Sequence, residues 1–314
     1  MTPAAQPATQ DGSAQGRSTQ GRSTQGRLDV RKTYKLYIGG AFPRSESGRS
    51  YEVYAAPTRG GKRPFLANAA KASRKDARNA VVAARKAVSG WAGATAYNRG
   101  QVLYRVAEVM ESRRDQLIGE VRVAEGLTPR QSAAVVDAAI DRWVWYAGWS
   151  DKIAQVTGGV NPVAGPYFNI SAPEPTGVVA VIAPQDDSLL GLISVIAPVI
   201  VSGNTCVVIA SAQWPLPAIT LAECLATSDV PGGAVNILTG DPAEMAPWLA
   251  SHLDVNGIDL TGAGDLDWAE LEAAGAGNLK RVRRPAAEDW TATPPLSRMT
   301  DWLETKTVWH PKGR

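Results

Sequence analysis

Adjacent carboxylates at Asp186 and Asp187 stand in a turn that follows an apolar run, Val178–Ile182. Paired acids divide general-acid and general-base work when their surroundings push the two pKa values apart. Neighbours in a turn instead tend to point apart into solvent, and that is the expectation here. The other candidate chemistry is nucleophilic. Cys206 and Cys224 are the chain's two cysteines, and a cysteine attacks as a thiolate beside an activating base. Both fall in apolar stretches, a predicted strand and a predicted helix, which suits small buried hydrophobes. Their spacing fits neither a metal site nor a disulfide framework, in keeping with a cytoplasmic setting. His252 and His310 have no cluster of Cys, His or acids around them, so no metal is expected. His252, at the end of a predicted helix, is accounted for by the helix dipole. Gly60–Lys62 lacks the rest of a phosphate loop and reads as a turn. Gly262-Ala263-Gly264 is a weak dinucleotide signal, since glycines also permit a turn that needs no ligand.

The elements around these residues are better defined than the chemistry. Gly177–Gly240 alternates apolar strands (Val178–Ile182, Thr205–Ile209, Ala234–Leu238) with two helices. Strands apolar on both faces and joined by helices predict a parallel sheet covered on both sides, an α/β fold. Downstream, a helix over Pro242–His252 leads to a strand over Gly257–Leu260. A helix over Leu266–Ala274 and a strand over Asn278–Val282 follow. Upstream, Tyr34–Gly40 and Ser50–Ala56 alternate like the two arms of a hairpin. Ser73 and Asp76 cap a helix, and Asn98–Glu120 has Val102, Leu103, Val106, Val109, Met110 and Leu117 on one face. A third helix spans 131–152, with Trp143, Tyr146 and Trp149 at helical spacing suited to core or interface packing. Residues 155–176, rich in Pro and Gly, suit two exposed strands, and Leu303–Trp309 alternates as another.

Composition excludes several function classes. The chain has 314 residues, 44% hydrophobic, with a net charge of +3 that does not suggest nucleic-acid binding. The longest apolar run, Leu189–Val201, is too short to span a membrane and carries Ser194 and Pro198, and no signal peptide is visible. A pentad repeats in QGRSTQGRSTQGR from Gln15, and order begins near Tyr34, so residues 1–33 are expected to form a disordered tail.

Position by position, Gly177–Gly240 resembles the cofactor-binding core of NAD(P)-dependent aldehyde dehydrogenases, and Tyr146–Lys152 resembles a signature of that family. The resemblance covers most of 34–284 and 299–311. It implies a Rossmann-like, mainly parallel sheet with helices on both faces, plus a small three-stranded antiparallel arm used in oligomerisation. On it, 34–152 is the N-terminal part of the cofactor-binding domain, 153–176 the first arm strands and 177–284 the core. Residues 285–298, rich in Pro, form a linker, and 299–314 supply the closing arm strand. It implies a vestigial cofactor site at Pro184, Ser211, Thr261 and Gly262. It also implies an arm interface at Tyr167, Asn169, Leu303, Thr305, Thr307 and Trp309.

The resemblance fails at the reacting groups. The family's Pro-Trp-Asn turn, whose Asn donates to the oxyanion, is here Pro184-Gln185-Asp186, which puts a carboxylate in its place. The family's Lys-Pro-Ser-Glu, whose Lys and Glu hold the adenosine ribose, is Ile209-Ala210-Ser211-Ala212. Each missing charge-assisted hydrogen bond removes roughly 1.5–3 kcal/mol. Two such losses weaken a micromolar dinucleotide site to about millimolar. Phe-Thr-Gly-Ser becomes Leu260-Thr261-Gly262-Ala263, which loses a hydroxyl at the pyrophosphate position. Where the family's catalytic domain opens with Glu-Leu-Gly-Gly, this chain runs into Arg283-Arg284-Pro285, and no cysteine follows Cys224. The expected function is therefore a catalytically inactive subunit that associates through its arm with a full-length NAD(P)-dependent aldehyde dehydrogenase, without tightly bound cofactor. The alternatives are an aldehyde dehydrogenase active only with a partner's catalytic domain, and a stand-alone nucleotide-binding module.

Overall fold

The computed structural model describes residues 32–58 and 60–313, so the tail expected over 1–33 lies outside the described residues except for its last two. The Lys32 ammonium lies 2.6 Å from the Glu223 carboxylate. Tyr34–Gly40 does not pair with Ser50–Ala56. Strand β1 (Ser50–Tyr54) pairs antiparallel with β2 (Phe65–Ala70), which sequence reading passed over because FLANAA carries small residues rather than β-branched ones. The Gly60–Lys62 stretch turns between them, with Gly61 N–H bonded to Thr58 O. Tyr34 bridges to Ala69 and Tyr37 to Ile237, so the segment joins the hairpin to the main sheet.

Helix α1 (Arg74–Gly93) starts at a reciprocal capping box between Ser73 and Asp76. The single helix expected over Asn98–Glu120 is two, α2 (Ala96–Ser112) and α3 (Arg114–Glu125). The chain breaks at Arg113 (φ −111°, ψ 14°), whose guanidinium turns to Glu223 at 2.6 Å. Leu103, Val106, Met110 and Leu117 are buried across the break, so the apolar face is continuous although the helix is not. Helix α4 (Pro129–Trp149) has a second capping box, Thr128 with Gln131, and Pro129 at its first turn. Trp143 and Tyr146 are fully buried in it.

After the short helix α5 (Ile153–Thr157) come β3 (Gly159–Asn161) and β4 (Tyr167–Pro175). The core then runs β5 (Val178–Ile182), α6 (Leu190–Val201), β6 (Thr205–Ile209), α7 (Leu216–Ala226) and β7 (Val235–Leu238). It continues through α8 (Pro242–Ser251), β8 (Gly257–Asp259), α9 (Trp268–Gly275) and β9 (Arg281–Arg283). A single helical turn, α10 (Ser297–Thr300), precedes β10 (Leu303–Pro311).

The five core strands form a parallel sheet ordered β7-β6-β5-β8-β9. Successive side chains of a strand face opposite ways. Val179, Val181, Cys206 and Val208 enter a core with residues of α2, α3, α4, α6 and α7. Val178, Ala180, Ile182, Val207 and Ile209 enter another with residues of α1, α8 and α9. This is the α/β fold with helices on both faces that the apolar strands predict.

The arm is a three-stranded antiparallel sheet ordered β10-β4-β3, with Leu303 opposite Pro175 and Pro311 opposite Tyr167. A buried amide fastens its base to the core. Asn204 Oδ1 accepts from Gly177 N–H at 2.7 Å, and its Nδ2 donates to Trp302 O at 2.8 Å. Trp302 itself is fully buried, its ring lying 2.9–3.0 Å from where a Cβ on Gly257 would project.

The linker reading of 285–298 does not describe its packing. Arg142 donates to the carbonyls of Trp290 (2.6 Å) and Ala292 (3.0 Å), which holds the segment against α4. The Trp290 indole reaches α6, with Nε1 3.1 Å from the Cβ position of Gly191. A Pro-rich segment looks like a tether in sequence. Here its carbonyls and one indole meet a buried arginine and a helix on elements more than 90 residues away in the chain.

Candidate cofactor crevice

In an open parallel sheet, ligands bind outside the carboxyl ends of the strands where the strand order reverses. Here the reversal falls between β5, which leads outward to β6, and β8, which leads the other way. Three loops meet at that end: Ala183–Asp187 after β5, Ala210–Trp214 after β6 and Leu260–Gly264 after β8.

The first two loops are tied to each other. Ser211 Oγ donates to Gln185 O at 2.9 Å, and Gln185 Oε1 accepts from Ala212 N–H at 2.9 Å. Gln185 Nε2 donates back to Ala183 O at 2.7 Å. Ser211 is buried, so its hydroxyl belongs to this clasp. Pro184 is buried under the same turn. The third loop docks on the first through Gly262, whose N–H bonds to Ile182 O at 2.9 Å. A Cβ on Gly262 would sit inside the carbonyl group of Ala183, so glycine is required by close backbone approach. Gly262→Ala is expected to destabilise the chain by about 2 kcal/mol, readable in urea unfolding, because backbone must shift to admit one methyl group.

The adjacent acids divide in a way that sequence did not indicate. Asp186 is exposed, but Asp187 turns inward and accepts from Leu189 N–H (3.1 Å) and Gly191 N–H (2.8 Å). Burial raises its pKa while those two amides act to lower it. Asp187 thus occupies the positive end of α6, which an external anion would otherwise find open.

Thr261 is held from below. Its N–H bonds to Asp259 Oδ1 at 2.9 Å, and its hydroxyl meets Arg298 Nη1 at 3.1 Å. Arg298 Nη1 also lies 3.0 Å from Asp259 Oδ2, and Nη2 lies 2.7 Å from Glu288. Glu288 in turn meets Arg283 at 3.0 Å, and Arg283 meets Asp301 at 2.6 Å. Asp259 is completely buried and Arg298 nearly so. Sequence reading missed this chain of charges, because Arg298 stands in the Pro-rich segment and only the fold brings it beneath β8.

Neither thiol is available for chemistry. Cys206 is completely buried, and burial pushes its pKa well above the ordinary thiol range. Burial likewise pushes Cys224 up to about 11. At neutral pH that leaves about one thiolate in ten thousand. Neither is expected to react with an aromatic disulfide reagent in the native chain at pH 8, and both should react in urea; rapid native labelling would contradict the burial. His252 caps α8, its Nδ1 accepting from Asp254 N–H at 3.1 Å, and burial lowers its pKa. Among the described residues no cluster of three potential metal ligands exists, and no helix is long and apolar enough to cross a membrane.

The six arm positions do not share one environment. Tyr167, Thr305, Thr307 and Trp309 are exposed, with the Tyr167 and Trp309 rings edge to face at 5.9 Å. Asn169 and Leu303 are buried within this chain. Asn169 Oδ1 accepts from Asn161 Nδ2 at 2.6 Å inside the arm, and Leu303 packs where β10 leaves the core. All six positions share one face of the arm, since β10 presents every second residue there and Asn169 lies opposite Trp309; Asn169 and Leu303 are buried on it, and support the arm from within.

The sequence profile of the aldehyde dehydrogenase family matches residues 44–283. Human retinal dehydrogenase 2 is 34% identical over 260 residues, which covers 81% of this chain and 48% of that protein. Human aldehyde dehydrogenase 1A1 is 33% identical over 261 residues, covering 81% and 50%. Among solved structures, PnpE from Pseudomonas sp. WBC-3 superposes with a TM-score of 0.73 at 28% identity, covering 81% of this chain and 50% of that one. The NAD+ complex of aldehyde dehydrogenase from Bacillus cereus gives 0.72 at 25% identity, covering 80% and 50%. The chain spans about half the length of the curated relatives it matches. The matched region carries the parallel sheet and the loops at its carboxyl end, and with it this chain belongs to the aldehyde dehydrogenase family.

Proposed function

We propose that this chain is a non-catalytic member of its family that binds a full-length aldehyde dehydrogenase subunit through the antiparallel arm. One observation carries the reading: the side chains of Gln185, Asp187, Ser211 and Thr261 at the crevice are bonded within the chain. Gln185 and Ser211 clasp two loops, Asp187 caps α6, and Thr261 is held by Asp259 and Arg298. No charged side chain stands at Ile209–Ala212 to hold a ribose, and both thiols are buried. These residues do not fit a tightly held dinucleotide, and no step of aldehyde oxidation is assigned to them. Only residues 284–302 join β9 to β10, yet β10 is nine residues long and pairs fully with β4. Its other edge faces no strand among those described, and an open strand edge is a template for a partner's sheet.

Co-purification from native extract through a tag on this chain tests the proposal. The expected product is a mixed oligomer containing a full-length aldehyde dehydrogenase. Thr305→Pro, which places a proline on the arm, is expected to abolish its recovery. Recovery as a monomer with no such enzyme attached would reject the reading. So would NAD(P)-dependent aldehyde oxidation by the pure chain that disappears with Cys206→Ser or Cys224→Ser.

A further inference from the structure

A cavity of about 120 Å³ lies between α4, α6 and the segment that carries Trp290. Its polar lining includes Arg142 and Tyr146 from α4, Ser194 from α6 and Arg298 from α10, with Glu288, Asp289 and Thr293 from the Trp290 segment. Tyr146 is fully buried and Ser194 is 2% exposed, yet neither hydroxyl has a hydrogen-bond partner. Arg298 Nη2 is likewise without a hydrogen bond, although Glu288 forms an ion pair with it. Arg142 is 7% exposed and gives only Nη2 to the carbonyls of Trp290 and Ala292. No carboxylate forms an ion pair with it among the described residues. Asp289, the acid whose charge acts on it, is exposed and bonded to Thr291.

Buried hydroxyls and guanidinium groups are costly to leave unpaired. Every unpaired atom here can donate, whereas the Trp290 and Ala292 carbonyls are engaged by Arg142, Glu288 by Arg283 and Arg298, and Asp289 Oδ1 by Thr291. The site therefore presents buried donors without matching acceptors, and its one carboxylate that acts on Arg142, Asp289, is exposed and forms no ion pair with it. The space equals about four water molecules at roughly 30 Å³ each. We propose that this cavity is a binding site for a small organic monocarboxylate, from formate to propionate in size. One carboxylate oxygen accepts from Tyr146 and Ser194, and the other accepts from Arg142. Planar acceptor pairs suit a guanidinium, and the short chain of the acid lies against the Trp290 and Pro294 side of the lining. The site is independent of whether the chain has a partner or binds a dinucleotide.

The test titrates the full chain with sodium acetate against sodium chloride at equal ionic strength. Thermal unfolding and ligand-observed NMR with labelled acetate are read together. A saturable rise in Tm with acetate, absent with chloride, is expected. Tyr146→Phe and Ser194→Ala, which keep the shape but remove one hydroxyl each, should weaken acetate binding at least tenfold. Arg142→Met should abolish it, and the two hydroxyl variants keep the test valid if that protein fails to fold. No saturable acetate effect, or equal affinity in Tyr146→Phe and Ser194→Ala, would overturn the proposal and leave the cavity to water.

Discussion

Arg298→Met is expected to destabilise the chain by about 3–5 kcal/mol, the loss that follows when one member of a buried ion pair is removed. Asp259 is completely buried, and Arg298 Nη1 lies 3.0 Å from its Oδ2. Without the guanidinium that carboxylate keeps only Thr261 as hydrogen-bond partner, with Arg283 as the remaining nearby positive charge, in a region where a charge is poorly solvated. The damage extends to Glu288, which Arg298 shares with Arg283, and to Trp290, over whose ring the guanidinium carbon lies at 5.1 Å. The 285–298 segment would then be held mainly by Arg142 and by the Arg283–Glu288 pair. Urea unfolding should show a lowered midpoint with little change in slope. Adding Asp259→Leu to Arg298→Met should recover part of the loss, since it removes the stranded charge. A cost below about 1 kcal/mol for the single change would mean that the pair is solvated and not a structural anchor.

Trp302→Ala should cost a similar amount, about 3–5 kcal/mol, through the cavity left by a large buried ring. Trp302 is completely buried, and its ring fills the space above Gly257, where β8 has no side chain. Its carbonyl accepts from Asn204 Nδ2 at 2.8 Å and from Thr176 N–H at 3.2 Å, which fixes where β10 leaves the core. The ring therefore sets the base of the arm as well as the packing beneath β8. Urea unfolding measures the overall loss, and amide exchange along β10 should quicken more than exchange in β5 or β6. Trp302→Phe, which keeps most of the ring volume, should cost much less. Equal protection of β10 in Trp302→Ala and the parent chain would separate the arm from this anchor.

Much of the fold was legible because its signals are local. Val178–Ile182 and Thr205–Ile209 are apolar at every position, as strands covered on both faces must be. Ser73 with Asp76 marked a helix start before any contact was known. The misses lie where a local signal was weak or shared. The Ala-rich strand Phe65–Ala70 carries little β signal, so local pattern pairs Ser50–Ala56 with Tyr34–Gly40 and the fold pairs it with Phe65–Ala70. The Asn98–Glu120 periodicity continues through Arg113, because two helices packed on one core keep the same apolar face. In the crevice, the substitutions Asp186, Ile209 and Ala212 were readable. The inward turn of Asp187 depended on the amides of α6.

The sequence alone determined the strand-helix alternation, the family resemblance, the changed residues at the cofactor loops and the β-forming character of Leu303–Trp309. These follow from residue type and spacing, which act over a few neighbours along the chain. Only the tertiary structure decided what the 285–298 segment does. Its composition describes a tether, yet Arg142, Arg298 and α6 hold it as part of the core. The same holds for the arm, where the buried state of Asn169 and Leu303 separates supporting residues from exposed ones. Charge pairing and burial depend on groups brought together from distant parts of the chain, and no local pattern in the sequence specifies them.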